Sequence, residues 1–184
     1  MNNGAKAVFL DRDGTINVEK NYMFKTEEFE YNEGALKALR RLNDAGYLLV
    51  VITNQSGIAR GYYTEQDYYK VDNWMKKDLL SRGIMISASY YCPHHPEAIV
   101  SRYRCKCKCR KPGTELFHKA QEELNIDMDL SFAIGDRMRD LAICYESGVK
   151  GILLSGNESK MLDGVFACPS WNDAVSYILG KNER

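Results

Sequence analysis

The hydrophobic positions of this chain fall into short apolar runs that are separated by longer amphipathic segments. The first run, 7–10, stops at two aspartates one residue apart, and the run 47–52 stops at a hydroxyl and an amide side chain. Short uninterrupted apolar runs are typical of strands buried on both faces of a parallel sheet. The pattern predicts strands at 7–10, 47–52, 87–91, 130–134 and 151–154.

The segments between these runs carry helix signals. A first helix is predicted from Asn32, its N-cap, to about Ala45, with Gly46 as its stop. Thr64 and Asp67 have the spacing of a capping box at the start of a second helix. Further helices are predicted after 112–113, after 140 and after 170. Strands and helices that alternate in this way predict an α/β fold, a doubly wound and mostly parallel sheet with helices on both faces.

Composition adds limits to this picture. With 184 residues, 45% of them hydrophobic, the chain is long enough for one well-buried core, so we expect a single domain over residues 1–184. Lys+Arg and Asp+Glu each number 25, so the net charge does not indicate a nucleic-acid or membrane partner. The chain has no apolar stretch long enough to span a bilayer and no secretory signal pattern, so we expect a cytoplasmic protein.

Charged and polar residues follow three of the predicted strands. Asp11 and Asp13 follow the first strand, Thr53 the second and Asp136 the fourth, while Lys111 precedes a helix. The carboxyl ends of parallel strands meet at one edge of the sheet, where ligands bind in folds of this class. Carboxylates are the ligands that Mg²⁺ prefers, and a lysine and a hydroxyl beside them can hold phosphate oxygens. The pattern therefore predicts a magnesium and phosphate site.

A cluster of cysteines suggests a second metal. Cys92 and His94 are followed by Cys105, Cys107 and Cys109 in one long irregular segment. In a reducing compartment such a cluster indicates metal rather than disulfides, and four cysteine or histidine ligands form a closed structural zinc site. The three later cysteines point to the same side of an extended segment, so their spacing alone does not choose which two bind.

Taken together, the motifs identify a family by resemblance. Their order and placement resemble the four signatures of the haloacid dehalogenase-like (HAD-like) phosphatases, and the resemblance covers nearly the whole chain. The motifs are Asp11-x-Asp13-Gly14-Thr15, Thr53-Asn54, Lys111-Pro112 and Gly135-Asp136-x-x-x-Asp140. The family pattern places its second zinc pair directly before Arg-Lys-Pro, which implies Cys92, His94, Cys107 and Cys109 as the ligands in a loop at 92–109. It leaves Cys105 as a departure from the pattern.

The resemblance implies roles for the residues of the first site. Asp11 would attack phosphorus to form an aspartyl-phosphate, and Asp13 would act as acid and then as base. Mg²⁺ would be held by the carboxylates of Asp11 and Asp136 and the backbone carbonyl of Asp13. Thr53 and Lys111 would hold the phosphoryl oxygens. Zinc would be structural, because four protein ligands leave no position for water.

Within this family, the run 53–61 and the zinc loop are similar to those of phosphatases that act on D-glycero-D-manno-heptose 1,7-bisphosphate. The similarity implies a phosphorylated sugar as substrate, removal of its C7 phosphate in nucleotide-activated heptose biosynthesis, no large cap domain, and a monomer. The implied substrate-binding residues are Glu19, Lys20, Asn21, Tyr22, Thr53, Asn54, Gln55, Ser56, Arg110, Lys111 and Arg137. Histidinol-phosphate phosphatase, which shares the catalytic residues and a similar zinc loop, is the alternative.

A hypothesis of another class is a zinc-ribbon module that binds nucleic acid. Six lysines and arginines surround the cysteines and encourage it. The balanced net charge and the complete catalytic set argue against it, so we expect neither nucleic acid nor membrane among the partners.

Overall fold

The computed structural model describes residues 4–180, whose strands form one seven-stranded sheet. The strands are β1 (Ala7–Leu10), β2 (Leu48–Asn54), β3 (Ile86–Cys92), β4 (Phe132–Gly135), β5 (Lys150–Leu154), β6 (Lys160–Leu162) and β7 (Val165–Cys168). Their order across the sheet is β3-β2-β1-β4-β5-β7-β6. Every neighbouring pair is parallel except β6 and β7, which are antiparallel. The predicted α/β fold with a mostly parallel sheet is confirmed.

Helices cover both faces of the sheet. They are α1 (Ala35–Asp44), α2 (Ser56–Ala59), α3 (Glu65–Ser81), α4 (Glu115–Leu124) and α5 (Trp171–Gly180), with 3₁₀ helices at Thr26–Glu28, Ser101–Tyr103, Met128–Leu130 and Met138–Tyr145. Alternate residues of β1 face different layers: Val8 and Leu10 pack with α1, α3 and α5, whereas Ala7 and Phe9 pack with α4 and the 3₁₀ helix at 138–145. This central strand is buried on both faces, as its apolar run predicts.

The start of α1 differs from the prediction. Asn32 is not the N-cap, because the helix begins at Ala35 and Gly34, with a φ of 78°, takes the N-cap position. The Asn32 amide instead donates to the backbone carbonyls of Gly14 at 2.9 Å and Thr15 at 2.8 Å. These carbonyls belong to the turn that follows β1, so the Asn32 side chain is directed to that turn and stabilises it instead of pointing to the helix N-terminus.

Two strand predictions also need correction. β4 begins at Phe132 rather than at 130, because Leu130 ends a 3₁₀ helix and is 52% exposed. No strand was predicted at β6 or β7. β6 has three residues, all exposed, and is too short to stand out, whereas β7 is an apolar run of the same length as that of β1 and could have been recognised.

Two irregular segments cover the carboxyl ends of the strands. Residues 16–31 contain one 3₁₀ helix and a single bridge between Asn17 and Tyr31. The zinc loop lies between β3 and α4. A small apolar cluster under these segments joins α2 to α3 and the zinc loop, and its members include Ile58, Tyr63 and Tyr68. Within residues 4–180, no helix combines the length and the apolar character needed to cross a bilayer.

The predicted capping box of α3 is present and leads to a pH-dependent prediction. Asp67 accepts hydrogen bonds from the backbone and hydroxyl of Thr64, and these bonds, with the one from Lys70, lower the pKa of Asp67 to about 2. A carboxyl whose pKa is lowered by folding stabilises the folded state above its unfolded pKa, and this contribution is lost as pH falls towards 2. We expect Asp67→Asn to unfold at a lower temperature than the parent at pH 6.

Thermal unfolding followed by circular dichroism between pH 6 and pH 3 checks this prediction. The difference in unfolding temperature between Asp67→Asn and the parent should shrink as pH falls. A difference that stays constant across this range would show that the charge of Asp67 does not contribute through the capping box.

Candidate active site

The carboxyl ends of the central strands form the floor of a cavity of about 300 Å³. It is open to solvent, and its lining includes residues of the loop at 19–23 and four arginines, called here the arginine wall. Its lining residues are Asp11, Asp13, Glu19, Asn21, Tyr22, Met23, Thr53, Asn54, Gln55, Ser56, Arg60, Tyr63, Arg110, Arg137 and Arg139. The structure therefore brings most of the predicted catalytic and substrate-binding residues together.

Asp11 and Lys111 form a buried ion pair at the bottom of this cavity. Lys111 Nζ lies 2.6 Å from Asp11 Oδ1, 2.9 Å from Asp140 Oδ1 and 2.6 Å from the carbonyl oxygen of Ile52. Burial raises the pKa of Asp11 to about 7; Lys111 opposes this rise and Asp140 adds to it. Burial alone would lower the pKa of Lys111, but the charges of Asp11 and Asp140 outweigh it and raise the value. Lys111 thus holds one oxygen of Asp11 in a fixed orientation.

The Asp11 carboxylate of this pair lies close to two further carboxylates, those of Asp136 and Asp140. One oxygen each from Asp11, Asp136 and Asp140 lies within 4.8 Å of the others. Burial raises the pKa of Asp136, and the charge of Asp140 raises it further. Crowded carboxylates with raised pKa values are the donor set expected for a hard divalent cation. The residues present therefore fit Mg²⁺. Asp140 accepts from Lys111 through one carboxylate oxygen and from the backbone N–H of Arg137 through the other, so both of its oxygens already have partners within the chain.

The turn after β1 brings Gly14 against this carboxylate group. Gly14 has a φ of 89°, and a Cβ placed there would lie 2.5 Å from Asp136 Oδ2. Trp171, at the start of α5, donates its indole N–H to the carbonyl of Thr15 at 3.2 Å. The turn is therefore held by α5, and the Asp136 carboxylate leaves no room at Gly14 for a side chain.

We expect Gly14→Ala to lower kcat/KM for phosphate release by at least about 10²-fold, because the added methyl group must displace the Asp136 carboxylate. Misplacement of an active-site group by about 1 Å has effects of this size. The positive φ adds strain of about 1 kcal/mol. Steady-state kinetics across a magnesium titration measure the effect, and the magnesium concentration for half-maximal rate should rise.

Gly156→Ala is the matched control, since Gly156 has a similar φ of 84° and no atom within 4 Å of an added Cβ. It should lower stability by a similar amount and leave kcat unchanged. Equal kinetic effects of the two substitutions would contradict a steric role for Gly14.

Asp13 does not point freely into the cavity. Its carboxylate accepts hydrogen bonds from Arg12 Nε and Nη2 at 3.2 and 3.0 Å, from Asn17 Nδ2 at 3.1 Å and from Gln55 Nε2 at 2.8 Å. Gln55 Nε2 also lies 2.8 Å from Thr53 Oγ1. Asp13, the predicted acid, and Thr53, which is predicted to hold the phosphoryl oxygens, are therefore joined through the NH₂ group of Gln55.

The loop that carries Lys111 is attached to β2 by Asn54. The Asn54 side chain accepts from the backbone N–H of Lys111 at 3.0 Å and donates to its carbonyl at 3.1 Å. Asn54, predicted as a substrate-binding residue, thus also fixes the backbone from which the Lys111 side chain enters the site.

The four zinc ligands implied by the resemblance lie together. Cys92 Sγ is 3.6 Å from Cys107 Sγ and 3.1 Å from Cys109 Sγ, and His94 Nδ1 is 3.3 Å from Cys109 Sγ. Tetrahedral zinc with bonds of about 2.3 Å to sulfur separates its ligands by about 3.8 Å, so the group fits the ion. Cys105 is exposed and is not among the four residues of the cluster.

The arginine wall of the cavity contains residues that sequence reasoning missed. Arg110 and Arg137 were predicted, whereas Arg60 and Arg139 were not. Burial lowers the pKa of Arg110, and the charges of Arg139 and Arg60 lower it further, so these guanidinium groups lie close enough to repel one another. Arg60 stands in the run 56–61 that supports the resemblance, a signal that could have identified it; Arg139 has no comparable signal.

Lys20 lies elsewhere. Its ammonium donates to the carbonyl of Glu28 at 2.9 Å and pairs with Glu30 at 2.8 Å, and Lys20 does not line the cavity. Its role as a substrate-binding residue stays a prediction that this arrangement does not support.

Comparisons with known proteins support the family resemblance on which the site was predicted. A family model described as polynucleotide kinase 3 phosphatase matches residues 6–167. A curated D-glycero-beta-D-manno-heptose-1,7-bisphosphate 7-phosphatase from Haemophilus ducreyi is 47% identical over 148 residues, which cover 80% of this chain and 81% of that protein. The chain belongs to this phosphatase family. The family resemblance drawn from the motifs is thereby confirmed.

Further members of the family support the assignment. The Escherichia coli K12 protein of the same description is 41% identical over 158 residues, covering 85% of this chain and 83% of its own. The crystal structure of D,D-heptose 1,7-bisphosphate phosphatase from B. bronchiseptica, complexed with magnesium and phosphate, superposes with a TM-score of 0.80. It is 28% identical and covers 96% of this chain and 99% of its own. The HAD-like fold is confirmed.

Proposed function

We propose that this protein is a magnesium-dependent phosphatase that removes the C7 phosphate of D-glycero-β-D-manno-heptose 1,7-bisphosphate. The observation that carries the proposal is the Asp11–Lys111 pair beside Asp136, on the floor of an open cavity with an arginine wall. A second phosphate on the substrate suits that wall, because guanidinium groups bind phosphate by paired charge-assisted hydrogen bonds. The names of the curated relatives support the β anomer.

We infer the reaction from the roles that the family resemblance implies for these side chains. An Asp11 oxygen attacks phosphorus, the bond from phosphorus to the sugar oxygen breaks, and Asp13 gives its proton to that oxygen. In the second step Asp13 takes a proton from water as the water attacks phosphorus, and the bond to Asp11 breaks to release phosphate. Thr53 would hold the transferring oxygens together with Lys111, whose ammonium would turn one of its three N–H groups from its present partners to the phosphoryl group.

Mg²⁺ would be held by Asp11, Asp136 and the Asp13 backbone carbonyl, and when bound it offsets negative charge on the transferring group. The chain's own contribution is to keep these oxygens in place before the ion arrives. Lys111 fixes Asp11, and the turn at Gly14 presses against Asp136.

The zinc cluster supports the site without taking part in the reaction. Cys107 and Cys109 lie within four residues of Lys111, and Arg110 Nη1 lies 3.4 Å from the carbonyl of His94 inside the same loop. We propose that zinc fixes this loop and so places Arg110 and Lys111 at the cavity. The proposal includes one domain over residues 1–184 and a cytoplasmic monomer with no nucleic-acid or membrane partner.

Phosphate release with Mg²⁺ from both anomers of the heptose bisphosphate tests the function. Heptose 7-phosphate, histidinol phosphate and a DNA oligonucleotide with a 3′-phosphate are the comparison substrates. We expect kcat/KM for the β bisphosphate to exceed each comparison by about 10² or more, equivalent to roughly 2.7 kcal/mol at the transition state. Preferred turnover of histidinol phosphate or of the oligonucleotide would reject the proposed substrate and retain the phosphatase chemistry.

Arg110→Met locates the second phosphate within the same assay. We expect it to lower kcat/KM for the bisphosphate by about 10-fold or more and to change that for heptose 7-phosphate little, because the monophosphate has no group for Arg110 to bind. Lys108→Met, a change in the same loop at a residue that does not line the cavity, is the control.

A further inference from the structure

Arg12 is a buried guanidinium that the mechanism above does not use. It stands between the two catalytic aspartates and is 1% exposed. Its Nε and Nη2 bond to Asp13, its Nη2 also lies 3.3 Å from Gln55 Oε1, and the ring of Tyr68 lies 5.6 Å from its central carbon. The remaining nitrogen, Nη1, is buried and has no hydrogen-bond partner within residues 4–180.

A contribution to stability does not explain this arrangement well. Burying a charged group is costly, and a buried ion pair gains free energy only when its remaining hydrogen-bonding atoms are also satisfied. Arg12 leaves one nitrogen unsatisfied and directs the other two at active-site groups. Its contacts are therefore more informative about the reaction than about the fold.

The contact with Gln55 fixes the orientation of an amide. Arginine can only donate, so the atom of Gln55 that faces Arg12 must be the acceptor Oε1. Tyr63 hydroxyl lies 2.6 Å from the same oxygen. With Oε1 on this side, the Gln55 NH₂ group must face the other way, where it lies 2.8 Å from both Asp13 Oδ2 and Thr53 Oγ1.

This orientation sets the direction of the Thr53 hydroxyl. Because Gln55 donates to Thr53 Oγ1, that oxygen acts as an acceptor on the side of Gln55. Its own proton then remains available for an acceptor in the cavity, where the phosphoryl oxygens would lie. If the Gln55 amide rotated by 180°, its oxygen would face both Asp13 Oδ2 and Thr53 Oγ1, and the Thr53 hydroxyl proton would turn towards Gln55 and away from the cavity.

We propose that Arg12 is a positioning residue that acts through Gln55 to make Thr53 a hydrogen-bond donor to the transferring phosphoryl group, and that holds Asp13 in line by its own hydrogen bonds and by that of Gln55. The proposal rests on the proposed phosphatase function. It assigns to Gln55, expected from the resemblance to contact substrate, an additional role between Arg12 and two catalytic residues.

A double-mutant cycle tests the proposal. Thr53→Ala should lower kcat by about 10² to 10³, the usual effect of losing one preorganised donor. Arg12→Met should lower kcat by about 10² and change KM by less than about threefold, since its contribution is made in the transition state. In Arg12→Met, the further substitution Thr53→Ala should cost less than about fivefold, because the hydroxyl is already misdirected. Arg12→Lys should recover part of the rate.

A structural role for Arg12 predicts a different outcome. If the substitution merely loosened the fold, the effects of Arg12→Met and Thr53→Ala would multiply, and this result would overturn the proposal. Arg82→Met is the matched control, because Arg82 also pairs with an aspartate and lies 6.0 Å from a tyrosine ring, but does not line the cavity. If Arg12→Met fails to fold, Tyr63→Phe tests the same amide, with an expected fall in kcat of about threefold to tenfold.

Binding of orthovanadate and of inorganic phosphate in the presence of Mg²⁺ gives a second readout that needs no sugar substrate. Vanadate mimics the transition state and phosphate the ground state. Arg12→Met should therefore weaken the binding of vanadate by at least about 10-fold and the binding of phosphate by less than about threefold. Equal effects on both ligands, or none on either, would reject the positioning role. If the parent binds vanadate tightly but does not hydrolyse the heptose bisphosphate, the substrate in the proposed function is wrong, and the comparison of variants still decides the role of Arg12.

Discussion

Asparagine in place of Asp11 is expected to lower phosphate release by at least about 10⁴-fold, because the substitution removes the proposed nucleophile from a site whose other parts remain. An amide oxygen does not form the aspartyl-phosphate, so the two-step route closes. Lys111 keeps its ion pair with Asp140, and the fold should therefore survive the change. The measurement is single-turnover phosphate release with Mg²⁺ at high enzyme concentration.

The asparagine variant needs two checks. Intact mass must exclude deamidation of Asn back to aspartate, which would restore a trace of activity. Asp44→Asn, at an exposed residue paired with Arg40 on α1, is the control and should retain the parental rate. A rate within about 10²-fold of the parent in pure Asp11→Asn would reject Asp11 as the nucleophile.

Serine in place of Cys107 is expected to release zinc and to lower the free energy of unfolding by at least about 3 kcal/mol, because binding of a structural zinc contributes directly to folding. The loop between β3 and α4 has little regular structure of its own, so loss of the ion should also disorder Arg110 and Lys111. We therefore expect kcat/KM to fall by more than about 10². Zinc content by mass spectrometry and urea unfolding measure the two effects.

Cys105→Ser is the matched control for this prediction, since it makes the same chemical change two residues away. It should keep one zinc ion per chain and the parental unfolding midpoint, because Cys105 lies outside the cluster. If Cys105→Ser loses the ion and Cys107→Ser keeps it, the ligand assignment is wrong.

The main parts of the site could be predicted from the sequence because they depend on strand ends. Asp11, Thr53 and Asp136 each follow an apolar run, and parallel strands bring such residues to one edge whatever the details of packing. Lys111 was placed by its resemblance to a family motif, and its ion pair with Asp11 agrees with that placement. The choice of Cys107 over Cys105 also needed the resemblance, because spacing alone left both open.

Other features depend on contacts that no local pattern encodes. Arg12 is a charged residue in a turn sequence, a position that is usually exposed to solvent. Its burial follows from contacts with Gln55 and Tyr68, which come from distant parts of the chain. Asn32 has the right identity for an N-cap, but its side chain is directed to the turn after β1, where its NH₂ group donates to two carbonyls. Lys20 is drawn to Glu30 across a loop whose path could not be predicted.

The contact between Trp171 and the turn after β1 gives the protein an intrinsic fluorophore beside its proposed catalytic groups. Trp171 is 3% exposed, and its indole N–H bonds to the carbonyl of Thr15, two residues beyond Asp13. The chain has two tryptophans, and the other, Trp74, packs against Phe29 in the loop at 16–31. Emission from Trp171, isolated in a Trp74→Phe variant, should therefore report movement of the catalytic turn as ligands bind, in real time and without an attached label.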